Sequence, residues 1–324
     1  MSVAAEIRNR ARKALGAWGL PAQEPELLKY RENAVFRARL GDGKHAALRL
    51  HRPGYHSEAA LRSELQFMEI LRRGGLAVPD PIATPGGDLL VELDGGQFAD
   101  LIGWVHGGQI GESSKPLAWS RDEIVAIYHE VGAAMAQMHA IADGWRPPAG
   151  FVRPAWNAQG LLGDTPLWGS FWDCPGLAGE DRGFLGRLRP ALRDRLSAAG
   201  GELDYGLIHA DLVRENVLVQ GGAVAMIDFD DCGHGWRLFD IATALLRNRR
   251  EPHYAALRQA LIEGYRTRRR IDDADLAHLP LFLLLRSLTY IGWAGERPEL
   301  PDSGERLARY VRDARDLAHG FLEA

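Results

Sequence analysis

The positions of apolar and polar residues predict a small unit of strands and helices in the first third of the chain. Residues 3–17 carry apolar side chains at helical spacing, and residues 34–40 alternate apolar with charged side chains, as half-buried strands do. A Gly-Asp-Gly turn at 41–43 connects this strand to another at 46–50, so the two form a hairpin. Further elements are predicted as a helix over 57–73 and strands near 88–93 and 97–105.

The pattern changes near Gly107 and Gly108, and helical spacing dominates beyond them. A capping box at residues 120–123, Ser-Arg-Asp-Glu, begins a helix whose apolar residues form one stripe. We therefore predict two lobes. Residues 1–107 form a small lobe of antiparallel sheet plus helix, and residues 108–324 form a larger, mainly helical lobe. The predicted fold class is α+β and bilobal.

One hairpin interrupts the helical pattern of the second lobe, within residues 205–231. Two apolar runs flank Gly221-Gly222, which is a two-residue turn signal. The register that this turn imposes puts Asn216 opposite Ile227, and therefore beside Asp228 at the open end of the hairpin. Asp211 lies in the loop just before the first strand. Local geometry thus predicts that three oxygen-bearing side chains come to one place.

These side-chain types suit phosphoryl transfer. A neutral Asn beside an anionic Asp is a fitting ligand pair for magnesium, and a separate Asp could orient and deprotonate an attacking hydroxyl. The alternative is a solvated turn whose acidic residues cap backbone groups. We favour the first interpretation because the polar residues cluster at the ends of very apolar strands. Asp230 and Asp231 fit either a site or a solvated turn, and His209 is interpreted as a structural support of the loop.

A cation and a carboxylate in the small lobe provide an independent indication. Arg49 ends the segment Ala-Ala-Leu-Arg, where the kinase pattern Val-Ala-Ile-Lys has its lysine. Glu64 falls on the apolar face of the predicted helix 57–73, and a buried carboxylate needs a partner. Arg49 is the natural candidate. From the helix pattern alone we would favour an edge position in which Glu64 reaches water. Because the hairpin motif also indicates a phosphate-binding protein, we prefer the Arg49–Glu64 pair.

Composition narrows the class of protein. The chain has 39 Lys and Arg against 43 Asp and Glu, a net charge of −4, which disfavours nucleic-acid binding. Two cysteines, Cys174 and Cys232, cannot form a disulfide framework, and a reducing compartment fits best. No apolar run approaches a membrane span, and the N-terminus lacks the apolar region of a signal peptide. We expect a cytoplasmic protein without nucleic-acid or membrane partners.

The motifs resemble those of the aminoglycoside phosphotransferase and choline kinase-like family, relatives of protein kinases, over nearly the whole chain. Residues 31–36 (Arg-Glu-Asn-Ala-Val-Phe) and 48–53 (Leu-Arg-Leu-His-Arg-Pro) look like the stress-response kinase A and homoserine kinase type II branches. Residues 209–216 (His-Ala-Asp-Leu-Val-Arg-Glu-Asn) are similar to the catalytic loop, and residues 227–230 (Ile-Asp-Phe-Asp) to the metal segment. Phe239-Asp240 resembles the start of the following helix, whose Asp braces that loop.

This resemblance implies a protein-kinase-like fold and an enzyme that uses ATP and Mg²⁺. Asp211 would be the catalytic base, and Asn216 and Asp228 would hold magnesium. The implied ATP site consists of Arg49 at the phosphates, Glu64 beside it, Asn33, and the hinge residues Trp104 and Val105. The chain departs from the pattern in two ways: Arg49 stands where most relatives carry lysine, and no Gly-x-Gly-x-x-Gly motif is present. Arginine can bind phosphate but does not replace lysine in every respect.

The acceptor is less well defined by the sequence. Residues 151–181 contain three tryptophans among four carboxylates, which could cage a cationic acceptor or simply pack onto the helical lobe. We expect transfer of the γ-phosphate of ATP to a hydroxyl of a small amino alcohol or amino acid. The alternatives are a Ser/Thr protein kinase, whose acceptor is a protein hydroxyl, and a non-catalytic nucleotide-binding or scaffold protein. The chain is expected to be a monomer or a homodimer.

Overall fold

The computed structural model describes residues 3–30, 33–201, 203–300, 302–319 and 321. The chain divides into two compact units. The first consists of Met1–Gly108, Gly144–Arg153 and Leu218–Asp230, and the second of Gln109–Asp143, Pro154–Val217 and Asp231–Ala324. The first unit thus contains the predicted small lobe together with two segments from later in the chain.

The first unit is built on an antiparallel sheet. Its helices and strands up to residue 108 are α1 (Val3–Ala17), β1 (Glu26–Tyr30), β2 (Ala34–Arg39), β3 (His45–Leu50), α2 (Glu58–Arg73), β4 (Leu90–Leu93) and β5 (Gln97–Gly103). The sheet has the order β1-β2-β3-β5-β4, and each neighbouring pair is antiparallel. Strand β1 was not predicted. Its side chains are mostly exposed, so no apolar alternation marks it in the sequence.

One face of this sheet carries the apolar core of the first unit. Phe36, Leu48 and Leu101 come from neighbouring strands and are buried against Ala11 and Leu15 of α1. Because side chains alternate along a strand, the charged residues between these apolar ones lie on the other face. Arg49 and Asp100 are such residues, and they are directly opposite each other on β3 and β5.

Helix α2 begins and ends with recognisable signals. Ser57 is its N-cap, and the side-chain oxygen accepts the backbone N–H of Ala60. The chain leaves the helix at Gly74, as the sequence predicts. Glu64 is completely buried on this helix, together with the apolar side chains of its stripe.

The predicted hairpin is confirmed. It consists of β9 (Val217–Gln220) and β10 (Ala223–Met226), which are neighbours in a sheet. Gly221 and Gly222 connect them with φ angles of 57° and 86°, a left-handed conformation that favours glycine.

The second unit is mainly helical. Its helices are α3 (Arg121–Gly144), α4 (Ala158–Leu162), α5 (Gly179–Gly200), α6 (Arg237–Leu246), α7 (Tyr254–Arg266), α8 (Asp273–Leu276), α9 (Leu279–Gly295) and α10 (Ser303–Ala318). Short strands are β6 (Gly108–Gln109), β7 (Ala155–Trp156), β8 (Tyr205–Ile208) and β11 (Gly233–Trp236), of which the last three form a sheet in the order β7-β11-β8. Helix α9 packs against both α6 and α10.

The predicted α+β fold class is confirmed by these two units, an antiparallel sheet with helices and a helical region. Among the residues that the structure describes, no helix is long and apolar enough to cross a membrane.

Candidate active site

Arg49 is held by two carboxylates in the first unit. Its Nε and Nη2 donate to Oδ1 and Oδ2 of Asp100 at 2.8 and 2.7 Å, a bidentate pair. Its Nη1 donates to Oε1 of Glu64 at 2.6 Å, so the predicted Arg49–Glu64 pair is present. His51 adds a further contact, from its Nε2 to Asp100 Oδ2 at 2.7 Å.

Mutual attraction keeps Arg49 and Asp100 charged although both are buried. Burial by itself lowers the pKa of Arg49, but attraction to Asp100 and Glu64 outweighs it and raises the pKa well above its usual value. Burial likewise raises the pKa of Asp100, yet Arg49 and His51 hold it down to about 2. Asp100 and His51 were not predicted as site residues from the sequence. A signal existed for Asp100, which is the single charged residue of the run Phe98–Ile102.

The segment 228–230 of the first unit carries two aspartates with different surroundings. Asp228 has a φ of 67°, an uncommon conformation for a residue other than glycine, which is often found at functional sites. Its Oδ2 lies 3.7 Å from Nζ of Lys29. Asp230 accepts from Nδ2 of Asn33 at 3.4 Å and lies 3.5 Å from Nε2 of His56. Asn33 belongs to the motif at residues 31–36, whose first two residues, Arg31 and Glu32, lie outside the described residues.

Burial raises the pKa of Asp230, but the hydrogen bond and charge of His56 lower it below its usual range. Arg153, which the sequence analysis missed, fixes this segment. It donates to the backbone carbonyls of Asp230 and of Ala60 in α2, the second at 3.1 Å, and its Nη1 lies 4.0 Å from Glu64 Oε2. Arg153 thereby ties the metal segment of the sequence prediction to the helix that carries Glu64.

The predicted hinge residues border a cavity of the first unit. The cavity measures about 410 Å³, and its walls include Trp104, Val105, Leu218 and Ala225. The backbone N–H of Trp104 donates to the carbonyl of His45 at 3.3 Å.

The predicted catalytic loop belongs to the second unit and is braced by Asp240. The two carboxylate oxygens of Asp240 accept the backbone N–H groups of His209 and Ala210 at 2.9 and 2.7 Å, which confirms the expected brace. Ala210 has a φ of 66°, so the backbone turns sharply just before Asp211. His209 is fully buried, and its Nδ1 accepts the Asp211 N–H at 3.3 Å, in agreement with a structural role.

Asp211 and Asn216 contact each other directly. Nδ2 of Asn216 donates to Oδ2 of Asp211 at 3.0 Å and to its backbone carbonyl at 2.9 Å. With Nδ2 engaged, Oδ1 is the Asn216 atom that could bind a cation. The structure therefore brings two of the three predicted residues together in one unit, while Asp228 belongs to the other unit.

A second residue holds the carboxylate of Asp211. Arg286 of α9 donates from Nη2 to Asp211 Oδ1 at 2.5 Å, and its side chain is completely buried. Attraction to Tyr290 and Asp211 raises the pKa of Arg286 although burial opposes it. The sequence analysis missed this residue as well. The available signal was a single charge within the apolar helix Leu279–Gly295.

Of the two alternatives for residues 151–181, the contacts favour packing onto the helical region over a cage for a cation. Each of the four carboxylates in this segment has an arginine partner: Asp164 pairs with Arg189, Asp173 with Arg182, and Glu180 and Asp181 with Arg315. Trp172 is covered by Arg189, whose guanidinium carbon lies 3.8 Å from the ring centroid. Trp156 is buried and stacks on Phe239. The negative charge of this segment is thus already balanced.

In the part of the chain that the structure describes, no group of three or more His, Cys, Asp or Glu side chains is arranged to hold a metal ion. Magnesium does not require such a group, since it is usually bound by one or two carboxylates together with substrate phosphates and water.

Fold and site define the class of kinase-like phosphotransferases: an Arg–Glu pair between a sheet and a helix, and a braced loop carrying Asp211 and Asn216. The chain belongs to the phosphotransferase enzyme family, APH, whose family model matches residues 26–274. The family resemblance and the predicted class of enzyme, a phosphotransferase, are confirmed.

Named relatives are kinases of small molecules. A microcompartment-associated aminopropanol kinase has 30% identical residues and a TM-score of 0.82, and the match covers 97% of each chain. Homoserine kinase from Agrobacterium fabrum is 29% identical over 223 residues, which cover 67% of this chain but only 63% of that kinase. The amicoumacin kinase hAmiN, solved in complex with AMP-PNP, Ca²⁺ and Ami, has a TM-score of 0.77 at 21% identity. The match covers 98% of this chain and 96% of that kinase, and it supports the fold.

Proposed function

We propose that this protein transfers the γ-phosphate of ATP, with Mg²⁺, to a hydroxyl of a small acceptor. The observation that carries the proposal is the position of Asp211, whose carboxylate is fixed by Asn216 on one oxygen and by Arg286 on the other. Fixing a carboxylate in this way orients it for one task, which is to receive the acceptor hydroxyl.

In the proposed reaction, Asp211 accepts the proton of the acceptor hydroxyl. The hydroxyl oxygen forms a new bond to the γ-phosphorus, the bond from that phosphorus to the bridging oxygen breaks, and ADP leaves with the electron pair. Phosphoryl transfer of this kind depends mainly on positioning and charge stabilisation. The brace from Asp240 and the strained backbone at Ala210 serve the positioning.

The donor set suits magnesium. Oδ1 of Asn216 and the carboxylate of Asp228 are hard oxygen donors, and the side chain of Asn216 is held by its hydrogen bonds to Asp211. These two residues would hold the ion, which when bound would neutralise charge on the phosphates. Asp230 is engaged by Asn33 and His56, and we assign it to the support of the segment.

Arg49 is assigned to the phosphates of ATP, with Glu64 and Asp100 holding it. A guanidinium has five N–H donors, and three nitrogen atoms of Arg49 each use one on a carboxylate, so two N–H groups are left for phosphate oxygens. Asn33 joins this site. Because the Trp104 N–H is already bonded to His45, we assign the adenine contact to the Val105 side of the hinge.

The acceptor is proposed to be a small hydroxylated amine or amino acid. The names of the relatives refer to homoserine, aminopropanol and amicoumacin, all of which are small molecules, and this favours a small acceptor over a protein Ser/Thr. A second candidate is a non-catalytic nucleotide-binding protein. The observation that favours it is the engagement of Arg49 by two buried carboxylates, which could hold it away from phosphates.

A coupled assay of ADP release, run with a panel of hydroxylated amines and amino acids, tests the proposal. We expect acceptor-dependent ADP release that falls by about 10²- to 10⁴-fold in Asp211→Asn, the range for loss of a general base. The matched control is Asp164→Asn, whose side chain is 95% exposed, and it should keep full activity. ATP binding without turnover in the wild type would favour the second candidate. Full turnover by Asp211→Asn would refute the role of Asp211.

A further inference from the structure

Arginine and aromatic side chains form a continuous row of contacts that starts at Asp211 in the second unit. Arg286 lies 4.5 Å from the ring centroid of Trp168 and 4.6 Å from that of Tyr290. Arg247 lies 4.0 Å from the same Tyr290 ring and 4.7 Å from that of Tyr310. We call this set the arginine–aromatic ladder: Trp168, Arg286, Tyr290, Arg247 and Tyr310.

The carboxylates beside the ladder lie at its Arg286 end: Asp211 accepts from Arg286, and Asp231 accepts from Nε1 of Trp168 at 3.0 Å and attracts Arg286. Arg286 has one carboxylate partner, Asp211, and its Nε and Nη1 are buried without a hydrogen-bond partner among the described residues. Arg247 has no carboxylate within 4.0 Å in the part of the chain that the structure describes. Its neighbours are the two tyrosines, and attraction to them raises its pKa against the effect of burial.

Two other arginines of the second unit also lie on aromatic rings, but each of them has a carboxylate partner. Arg189 also lies on an aromatic ring, that of Trp172, but it has Asp164 as a partner. Arg315 lies on Phe184 and pairs with Asp181. Keeping a guanidinium largely out of water without an anion is costly, and protein chains retain such groups mainly where a ligand completes them.

The position of Arg247 is suitable for contact with an acceptor. Asp211 keeps 21% of its side-chain surface exposed, and both Tyr290 and Arg247 are half-buried, so these groups are open to a small molecule. Arg247 and Arg286 both have their guanidinium carbons within 4.6 Å of the Tyr290 centroid. A short acceptor with its hydroxyl at Asp211 can therefore extend along Tyr290 toward Arg247.

We propose that Arg247 binds a carboxylate of the acceptor, which is then a short hydroxy acid or hydroxy amino acid rather than an amino alcohol without a carboxylate. This inference rests on the proposed function. A guanidinium fits a carboxylate with two parallel hydrogen bonds, and the adjoining rings of Tyr290 and Tyr310 hold Arg247 in place. Arg286 has a separate task, since it positions Asp211 through the 2.5 Å hydrogen bond.

Three matched acceptors test the inference in the ADP-release assay: homoserine, 3-aminopropan-1-ol, which lacks its carboxylate, and 4-hydroxybutanoate, which lacks its amine. A charged hydrogen-bonded pair contributes about 1.5–3 kcal/mol, so kcat/KM for the two acids should exceed that for the amino alcohol by roughly 10- to 100-fold. In Arg247→Met this preference should disappear through a higher KM for the acids, while the KM for ATP stays constant. Arg247→Lys should restore part of the preference.

The control is Arg189→Met, which removes another arginine stacked on an aromatic ring and should leave the preference unchanged. Equal or better turnover of 3-aminopropan-1-ol by the wild type would overturn the inference while leaving the proposed function intact. Calorimetric titration of 4-hydroxybutanoate separates the two ideas in the opposite case. Binding that Arg247→Met abolishes, in the absence of any turnover, supports carboxylate binding by Arg247 but counts against the proposed function, and binding that Arg247→Met leaves unchanged overturns the inference. If Arg247→Met does not fold, the wild-type comparison of the three acceptors decides alone.

Discussion

Two buried arginines, one in each unit, have opposite surroundings. Arg49 has a side chain that is 7% exposed and gives three hydrogen bonds to two carboxylates, Glu64 and Asp100. Arg286 is completely buried, but Asp211 is the one carboxylate that it pairs with among the described residues, and the rings of Trp168 and Tyr290 lie within 4.6 Å of its guanidinium carbon. Each of the three nitrogen atoms of Arg49 donates to a carboxylate, whereas Nε and Nη1 of Arg286 have no hydrogen-bond partner among the described residues.

The difference indicates that buried arginines have two kinds of role in this protein. Removing a partner from a saturated buried pair leaves a charge uncompensated, so such a group contributes to the stability of the fold. A guanidinium on aromatic faces has weaker attractions and keeps N–H groups for an added anion. We therefore expect substitutions of the carboxylates around Arg49 to lower stability as well as ATP binding, and substitutions at Arg247, the next arginine of the ladder, to act mainly on the acceptor.

The largest effect on stability is expected for Asp100→Asn. The substitution keeps the shape of the side chain but removes the charge that Arg49 and His51 face, and loss of a buried partner costs about 3–5 kcal/mol. Urea denaturation measures the change. The control Glu58→Gln removes an exposed partner of Arg62 and should cost no more than about 0.5 kcal/mol. A loss below about 1 kcal/mol for Asp100→Asn would show that the buried carboxylate of Asp100 does not stabilise the fold through Arg49.

The free energy of unfolding should respond to acid through different groups in the two units. His139 of the second unit is fully buried, and burial together with repulsion from Arg237 lowers its pKa from 6.5 to about 4. Its imidazole is neutral in the folded chain and becomes charged on unfolding below pH 6.5. The free energy of unfolding should therefore decrease as the pH falls from about 6.5 to about 4, by roughly 3 kcal/mol. Asp100 of the first unit is an acid whose pKa is lowered from 3.8 to about 2. Its contribution to the free energy of unfolding is therefore fully present above pH 3.8 and is lost as the pH falls to about 2.

The measurement is the urea midpoint of the wild type and of His139→Gln between pH 7 and pH 4. The variant should be less stable at pH 7, because the contacts to Tyr265 and Asp240 are lost, but its stability should depend less on pH. His129→Gln, at an exposed position, is the control and should keep the wild-type slope. An unchanged slope in His139→Gln would assign the acid sensitivity to another group.

Local patterns in the sequence predicted much of the fold. They also predicted some residues of the clusters around Arg49 and Asp211, but not the residues that complete them. The hairpin, α2 with Glu64, and the loop carrying Asp211 follow from turn residues, helical spacing and short motifs. Asp100 and Arg286 were missed because their partners lie far away in sequence. Asp100 meets Arg49 through the pairing of β3 with β5, 51 residues on, and Arg286 meets Asp211 from a helix 75 residues on. Periodicity shows which side of an element is buried, but not which distant element covers it.

The smallest effect on stability is expected for Arg247→Met, and it provides the sharpest contrast with Asp100→Asn. The contacts of a cation with an aromatic ring contribute about 0.5–2 kcal/mol, and the thioether of methionine regains part of this against Tyr290 and Tyr310. The substitution also removes the cost of holding a guanidinium largely out of water without an anion. We therefore expect urea denaturation to show a change within about 1 kcal/mol. A loss of about 3 kcal/mol or more would make the ladder a structural element like the Arg49 group, and the distinction between the two arginine clusters would fail. Added 4-hydroxybutanoate sharpens the test, because a ligand that binds the folded chain raises the midpoint of the wild type and should raise that of Arg247→Met much less.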